Sequence, residues 1–415
     1  MSLALFIANR LTLRSASGKM QTGVVIAVTG IALSVVVMLI SIAVMMGFKE
    51  EIRRKIMGFD SQLTVTVHGA DSNTGTKLVE LSELRNALKV LPPEASSALT
   101  IRQPVILKTP ADFSGAVVKG MSRDYDWEFV RENLVEGEIP DFRADSTLYH
   151  IIISRNLAKD LDAKLGDKID AYFLGDGSYR TRRLKIAAVY DTHFGEYDDN
   201  YIFSTLGLLS GLAGLDENEG TQLEIYGLKS DREIADCGRE LSAALLEELY
   251  TGKISTLYSV TDVHTSAALY FNWLALLDTN VVVILTLMAL LTCLTLVSSL
   301  YILILRRVNM IGILKALGAT DGLIRRAFIY LTLRILAAGL LIGNAVSVCL
   351  IVIQDSTRII PLNPEAYYLD HVPMLLSIPA LLILNISIIV VASLVLVLPS
   401  AIITSIPPSK VINYD

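Results

Sequence analysis

Four long uncharged runs divide the chain. Each run holds about 20 residues or more, enough to cross the ~30 Å hydrocarbon layer of a bilayer as a helix. The runs lie between Lys19 and Lys49, Asp278 and Arg306, Arg334 and Asp355, and Asp370 and Lys410. We therefore predict transmembrane helices at 22–47, 276–305, 326–353 and 374–403. The third includes Arg334, whose long side chain can reach the membrane interface.

The segment 48–275, between the first two helices, carries patterns of both strand and helix. Helical spacing predicts helices at 78–91 and 231–249, and Ser154 is placed to cap a helix that runs to Leu161, with Gly166 reversing the chain after it. The segment QLTVTVH (62–68) alternates like a strand. Strands are also predicted at 114–120, 150–154, 168–174, 182–190 and 221–228. The segment is predicted to be an α+β domain.

Both helices that border this domain are predicted to extend beyond the bilayer. Helical spacing continues through GFKEEIRRKI (47–56), and TDVHTSAALYFNWLALLD (261–278) leads into the second helix with Thr261 as its cap. Two helices that leave the bilayer without a break form a stiff stalk, and a stalk transmits displacement where a flexible linker cannot.

The charge of the short loops predicts the orientation. Residues 306–326 carry five basic residues against Asp321, whereas residues 354–373 carry three acids against Arg358. Basic short loops stay on the cytosolic side. The cytosolic segments are then 1–21, 306–325 and 404–415, and the extracytoplasmic segments are 48–275 and 354–373. Within the cytosolic segment 1–21, SLALFIANRLTLR (2–14) is either an amphipathic helix on the inner leaflet or an extension of the first span.

The cytosolic loop RRVNMIGILKALGATDGLIRR (306–326) contains a short helix with an apolar face. Gly318 can end that helix and Thr320 can start the next. The face comprises Met310, Ile313, Leu314 and Leu317. Such a face either fills a hydrophobic groove on a partner protein or lies on lipid.

Small and polar residues form stripes in the first two spans. The stripe in the first span contains Ala27, Gly30, Ser34 and Ser41, and the stripe in the second contains Thr279, Thr286 and Cys293. Such stripes allow close helix packing. The alternative is that they line a groove for a lipid-like substrate.

Composition excludes several classes of protein. The chain is 52% hydrophobic with a net charge of −6, and it has no basic patch with interleaved aromatics, so nucleic acid is not an expected partner. It contains no phosphate-binding loop, no catalytic motif and no pair of cysteines at the spacing of zinc ligands. Three cysteines cannot form a disulfide framework. The cluster GEYDDNY (195–201) is either a Ca²⁺ site or a polar turn between strands.

Four stretches resemble the permease subunits of the MacB/FtsX-type superfamily, and most closely the lipoprotein-releasing LolC/LolE family. They are the opening FIANRLTLR with SVVVMLISIAVMMGFKEEIRRKIMGF, then ISRNLAKDLDAKLGDKI (153–169), IAAVYDTHFGEYDDNYIF (186–203) and the IGILKALGA of the loop. The ending PSAIITSIPPSKVINYD is similar as well. The resemblance implies four membrane helices and a large MacB-like periplasmic core domain of α+β type.

The resemblance also implies the partners. A LolD-like dimer of ATP-binding subunits would bind ATP and Mg²⁺, so that no cofactor is expected in this chain. The loop would be its coupling helix, with Met310, Ile313, Leu314, Lys315, Leu317 and Gly318 as contacts. A second permease protomer, identical or of the LolC/LolE kind, would complete a complex in the bacterial inner membrane that extracts lipoproteins. A MacB-like exporter and an FtsX-like regulator of an extracytoplasmic enzyme remain alternatives.

A periplasmic LolA-like carrier is the expected recipient of the substrate. Family members that recruit the carrier do so through a protruding loop, and the corresponding hairpin here, GDGSYRTRR (175–183), is short. The candidate carrier contacts on this hairpin are Tyr179, Arg180, Arg182 and Arg183.

Overall fold

A computed structural model describes residues 22–69, 78–122, 125–142, 144–175, 178–216 and 218–397. The predicted cytosolic helix at 1–21, the tail at 404–415 and the last residues of the fourth span lie outside these ranges. The chain forms two compact units. Among the described residues, the membrane unit takes in those of 22–50, 273–361 and 371–397, and the α+β unit takes in those of 51–272 and 362–370.

Thirteen α-helices lie in the described residues. In chain order they are α1 Thr22–Phe59, α2 Leu81–Leu84, α3 Glu128–Glu132, α4 Arg155–Asp160, α5 Gly195–Asp198, α6 Leu206–Ala213, α7 Asp231–Tyr250, α8 Val263–Ser266, α9 Ala268–Leu305, α10 Val308–Ala316, α11 Asp321–Thr357, α12 Pro364–Tyr367 and α13 Ile378–Val395. Four of them, α1, α9, α11 and α13, are long and apolar enough to cross a membrane.

Twelve strands lie in the described part of the α+β unit. They are β1 Leu63–Val67, β2 Val79–Glu80, β3 Ser96–Lys108, β4 Phe113–Met121, β5 Leu134–Gly137, β6 His150–Ser154, β7 Lys168–Gly175, β8 Ser178–Tyr190, β9 Tyr201–Thr205, β10 Glu219–Gly220, β11 Gln222–Tyr226 and β12 Tyr258–Asp262. Four apolar helices together with an α+β domain confirm the predicted fold class.

Ten of these strands form one mixed sheet in the order β12-β1-β11-β3-β4-β9-β6-β8-β5, with β7 joined to β3 and β8. Two pairs, β4 with β9 and β6 with β8, are parallel. The core is built from the inward side chains of the sheet and the apolar faces of α4, α6 and α7. The predicted strands at 62–68, 114–120, 150–154, 168–174, 182–190 and 221–228 all fall on this sheet.

Two local predictions were wrong. Residues 78–91 do not form one helix. They form β2, α2 and a 3₁₀ turn at Ala87–Val90, because Val79 pairs with Gly220 and draws the start of the segment into a two-stranded sheet. Thr261 does not cap a helix, since it still pairs with Thr64 in the main sheet. The next residue, Asp262, caps α8 by accepting a hydrogen bond from the Thr265 amide (2.8 Å).

The membrane helices pack through glycines that the stripe pattern missed. A side chain at Gly339 would meet Ile31, and one at Gly343 would meet Val35 at 2.8 Å and the Ala32 carbonyl oxygen at 2.9 Å. Helix α11 therefore lies close against α1 at a small-xxx-small motif. Farther along, Asn344 and Asn385 exchange side-chain hydrogen bonds of 2.8 and 3.2 Å between α11 and α13, as expected for isolated polar residues in spans.

Ser154 joins a helix cap to a neighbouring turn. Its fully buried hydroxyl accepts from the Leu157 amide (3.1 Å) and donates to the Asp198 carbonyl oxygen. Ser154→Ala is expected to lower the free energy of unfolding by about 1–2 kcal/mol, because it leaves two buried groups unpaired. Urea unfolding followed by Trp127 fluorescence in a Trp273→Phe chain measures it.

The matched control is Ser230→Ala. Ser230 caps α7 through the Glu233 amide (3.2 Å) but is exposed, so water can replace its hydroxyl and the loss is expected to be smaller. Equal losses in the two variants would contradict the burial argument.

Candidate functional site

An apolar cavity in the membrane unit lies between α1, α9 and α13. Its volume is about 660 Å³, and its walls are almost entirely apolar. That volume is in the range of about 300–1,000 Å³ typical of ligand sites. Helix α1 contributes Met38, Ile42, Met45 and Met46, which lie on one face of the helix at spacings of four, three and one residues. Methionines give such a wall a flexible surface that can adapt to different apolar ligands.

A charged pair marks one end of this cavity. Asp278 lines the cavity and forms an ion pair with Lys49, with Nζ 2.7 Å from Oδ2. The two side chains are 38% and 47% exposed for Lys49 and Asp278, respectively. Each is the first charged residue beyond an uncharged run, so the pair stands where α1 and α9 leave the apolar segment. The cavity thus combines an apolar interior with a polar rim.

The predicted groove residues divide into three groups. Thr286 and Cys293 line the cavity. Ala27 and Ser34 are buried in helix packing, and the Ser34 hydroxyl bonds to the Gly30 carbonyl oxygen of its own helix. The remaining three do not reach the cavity: Gly30 faces Thr295 of α9, Ser41 is half-buried, and Thr279 is exposed.

Sequence reasoning missed the contribution of α13 to the cavity. Its lining residues are Ala380, Ile383, Leu384, Ser387, Ile388, Val391 and Ala392. Helix α13 is apolar on all sides, so its sequence carries no periodic signal of the face that lines a cavity. The sequence gives a weak indication of the Lys49–Asp278 pair, because each residue borders an uncharged run on the same predicted side of the bilayer.

The predicted coupling helix forms, but its exposed face differs from the predicted one. Gly318 ends α10 with φ +89°, and Thr320 precedes α11, although its side chain makes no cap hydrogen bond. Met310 and Leu314 pack against the membrane unit's own core, beside the fully buried Ile311. Lys315 is 10% exposed and pairs with Asp321 (2.9 Å). The exposed face consists of Asn309, Ile313, Ala316 and Leu317.

The physical reason is that α10 is apolar nearly all around. Ile311, which is not part of the predicted face, is fully buried. Ile313 and Leu317 remain 55% and 80% exposed, so two of the six predicted contacts present large apolar side chains outward. These two are the residues available to a groove on another protein.

The short hairpin at 175–183 spreads its four candidate residues over both faces of the sheet. Strands β7 and β8 pair up to Gly175 and Ser178. Tyr179 and Arg183 share one face, whereas Arg180 and Arg182 lie on the other, opposite Phe173 and Ala171. Arg183 bonds to Asp170 (2.8 Å), and this hydrogen bond lowers the pKa of the Asp170 carboxyl.

The acidic GEYD segment forms α5 and is held as a turn. The Asp198 carboxylate accepts hydrogen bonds from the Thr192 amide (3.1 Å), the Thr192 hydroxyl (2.7 Å) and the Phe194 amide (3.2 Å). Burial raises the pKa of Asp198 to about 6 even though the hydrogen bond from Thr192 opposes the shift. These contacts use the carboxylate internally, which favours the polar-turn interpretation over a Ca²⁺ ligand.

Two family models match the chain. The MacB-like periplasmic core domain matches residues 24–235, and the FtsX-like permease C-terminal model matches residues 282–408. Two curated relatives are both described as lipoprotein-releasing system transmembrane protein LolC. The relative from Xylella fastidiosa (strain 9a5c) is 22% identical over 404 residues, 94% of this chain and 93% of the relative. The relative from Neisseria meningitidis serogroup B is 22% identical over 377 residues, 86% of each.

Among solved structures, the periplasmic region of MacB from Actinobacillus actinomycetemcomitans matches 52% of this chain and 96% of its own length. The match has 13% identity and a TM-score of 0.36. Together, the family models and the curated relatives confirm the resemblance drawn from the four sequence stretches.

Proposed function

The chain belongs to the family of ABC transporter permeases with a MacB-like periplasmic core domain and an FtsX-like C-terminal region, and we propose that it releases lipoproteins from the membrane with energy from a separate ATP-binding subunit. Its relatives described as lipoprotein-releasing proteins support this substrate class. The α+β unit then lies in the periplasm, and the ends of the chain lie in the cytosol of a bacterial inner membrane.

The observation that carries the proposal is the apolar cavity between α1, α9 and α13. Acyl chains fit an apolar cavity inside a membrane-spanning bundle, and the Lys49–Asp278 pair at its rim offers charge to the polar part of the same molecule. Removing acyl chains from a bilayer costs about 0.8 kcal/mol per buried CH₂. A passive channel cannot meet that cost, so a nucleotide-hydrolysing partner is required.

The exposed α10 face is the proposed docking site for the ATP-binding subunit. Ile313 and Leu317 would enter its groove, in the helix-in-groove mode. A second protomer would close the open side of the cavity and a soluble periplasmic carrier would take the released lipoprotein. Tyr179 and Arg183, on one face of the hairpin, are the proposed carrier contacts.

Thr286→Trp is expected to reduce lipoprotein loading at least about tenfold, because the indole fills part of the cavity where acyl chains would lie. Photocrosslinking from a benzoylphenylalanine at Ser387, which also lines the cavity, measures loading in live membranes. Recovery of a lipoprotein adduct supports the proposal. Adducts with phospholipid or an unlipidated peptide alone would reject it in favour of a lipid-filled cleft or a peptide exporter.

The matched control is Thr279→Trp. Thr279 lies two turns away on the same helix, is exposed and does not line the cavity, so loading is expected to persist. A bulky residue at the buried Ser34 is unsuitable as a test, because it would disturb helix packing as well. Equal loss in Thr286→Trp and Thr279→Trp would contradict the cavity assignment.

A further inference from the structure

The end of α1 is held by a buried group of charges in the α+β unit. Arg102 on β3, Lys119 on β4 and Glu224 on β11 come from three adjacent strands. Together with the Phe59 carbonyl and Asp60 at the end of α1, they form what we term the helix-end clamp. Lys119 and Glu224 have no exposed side-chain surface, and the Arg102 side chain is 8% exposed.

The clamp binds the last carbonyl of the helix directly. The Phe59 carbonyl oxygen accepts hydrogen bonds from Lys119 Nζ (2.6 Å) and Arg102 Nη2 (3.3 Å). The last carbonyls of a helix have no partner within the helix, and they carry the negative end of its dipole. Two buried cations therefore bind where the helix itself offers negative charge.

Carboxylates on both sides complete the clamp. Asp60 Oδ1 lies 2.8 Å from Arg102 Nη2, and the Glu224 oxygens lie 3.1 Å from Arg102 Nη2 and 2.8 Å from Lys119 Nζ. Burial opposes ionisation of both carboxyls, but the charges of Arg102 and Lys119 outweigh it, and the pKa values of Asp60 and Glu224 are lowered. Burial acts in the opposite sense on Lys119 and lowers the pKa of its ammonium group, although the charge of Glu224 opposes that shift.

A short linker follows the helix and is held on both sides. Residues 60–62 link α1 to β1, and Thr64 of β1 is directly opposite Glu224. Glu224 of β11 thus contacts both side chains that bind the helix end, and it lies opposite the strand that follows. Ile52, Ile56 and Phe59 bury the inward face of the last turns completely. The residues on both sides of the linker are therefore held by contacts of the α+β unit.

The α5 turn links the clamp to the start of α9. Tyr197 donates a hydrogen bond to Asp60 Oδ2 (2.6 Å), and its ring stacks on Phe59 at 4.7 Å between centroids. Tyr270, at the start of α9, donates to Glu196, and its ring lies 5.0 Å from Phe194. The same turn therefore contacts residues of both helices that continue into the membrane unit.

Four buried ionised groups are a poor choice for stability alone. Replacement of a buried charge network by apolar residues of similar volume is often neutral or stabilising, and in some proteins such a network instead specifies one geometry. An apolar contact allows sliding, whereas the clamp fixes the helix end at several directed bonds. A fixed joint is what the transfer of a displacement requires.

We propose that the helix-end clamp is the rigid joint through which movement of α1 is transmitted to the periplasmic sheet. Arg102, Lys119, Glu224 and Asp60 are then positioning residues that couple nucleotide hydrolysis to delivery of the substrate. This inference rests on the proposed function, in which an ATP-binding subunit moves the membrane helices.

Asp60→Asn in the full complex tests the joint. The variant keeps the size of the side chain and removes its charge, and Asp60 retains some exposure, so folding is expected to persist. Lipoprotein release from vesicles is expected to fall about tenfold, while ATP hydrolysis stays within about twofold of the unaltered complex. A loss of hydrolysis in step with release, or unchanged release, would overturn the proposal. Glu94→Gln, which breaks the exposed Glu94–Lys229 pair (3.2 Å), is the matched control and should change neither activity.

A distance measurement separates a failed joint from a failed function. Spin labels at Arg54→Cys and Ser97→Cys, in a chain whose native cysteines are replaced by alanine, report the separation of α1 from β3 by double electron–electron resonance. In the unaltered joint we expect a single narrow distance distribution, both with and without ATP. In Asp60→Asn we expect a broad distribution. A broad distribution in the unaltered joint would reject the clamp. If the distance distribution is narrow but the unaltered complex releases no lipoprotein, the proposed substrate is rejected and the proposal of a rigid joint stands.

Discussion

Leu317→Asp is expected to abolish assembly with the ATP-binding subunit while leaving the permease folded in the membrane. Leu317 is 80% exposed on α10, so a carboxylate there stays in water in the isolated chain. In the complex the same carboxylate would enter an apolar groove without a partner, at a cost of several kcal/mol. We expect the affinity to fall at least about 100-fold. Co-purification of the two co-expressed subunits measures it.

Two further substitutions make this result specific. Leu257→Asp places the same charge at an exposed leucine of the α+β unit and should leave co-purification unchanged. Ile313→Asp, on the same exposed face of α10, should act like Leu317→Asp. Leu314→Asp is a weaker test, because Leu314 packs against the chain's own core and the change would damage folding too. Normal recovery of the ATP-binding subunit with the Leu317 variant would reject the docking face.

Gly343→Ala is expected to destabilise the membrane unit by about 1–3 kcal/mol, the usual range for overpacking. A methyl group at this position would lie 2.9 Å from the Ala32 carbonyl oxygen and 2.8 Å from Val35. A backbone oxygen cannot move aside as a flexible side chain can, so α1 and α11 must separate. A larger residue such as leucine should prevent correct packing. Thermal unfolding in nanodiscs, compared with the unaltered chain, measures the loss.

For Gly322→Ala, on the same helix, we expect a gain in stability rather than a loss. Nothing lies within 4 Å of a methyl group at Gly322, so the change should stabilise the helix by up to about 1 kcal/mol through the better helix propensity of alanine. If Gly343→Ala were as harmless as Gly322→Ala, the close contact of α1 with α11 would be wrong.

The strands and spans could be predicted because their signals are local. A charge in hydrocarbon is costly wherever it stands, so uncharged runs mark helices that cross a membrane without reference to any other part of the chain. In the same way, the short apolar run in HIIIS (150–154) forms the buried strand β6, and Ser154 caps α4 through an amide three residues away. The prediction at 78–91 failed because a distant strand, β10, took part of the segment.

The site was predictable only in part, because the side of a helix that lines a cavity or is exposed depends on the neighbouring helices. Thr286 and Cys293 line the cavity, but Ser34, with the same small polar character, is buried in packing. Helices α10 and α13 are apolar around most of their circumference, so nothing in their own sequence distinguishes the exposed or cavity-lining face.

By itself, the sequence determined the four membrane helices, the α+β domain inserted between the first two, and the family of permeases to which the chain is similar. These follow from the cost of charge in hydrocarbon, from side-chain periodicity and from contiguous motifs. The tertiary structure alone decided that Ile311 rather than Ile313 is buried, and that α13 closes the cavity. It also brought Arg102, Lys119 and Glu224 together at the end of α1. A charged residue on a strand normally faces water, and only the strand order β11-β3-β4 reveals that these three share a buried face.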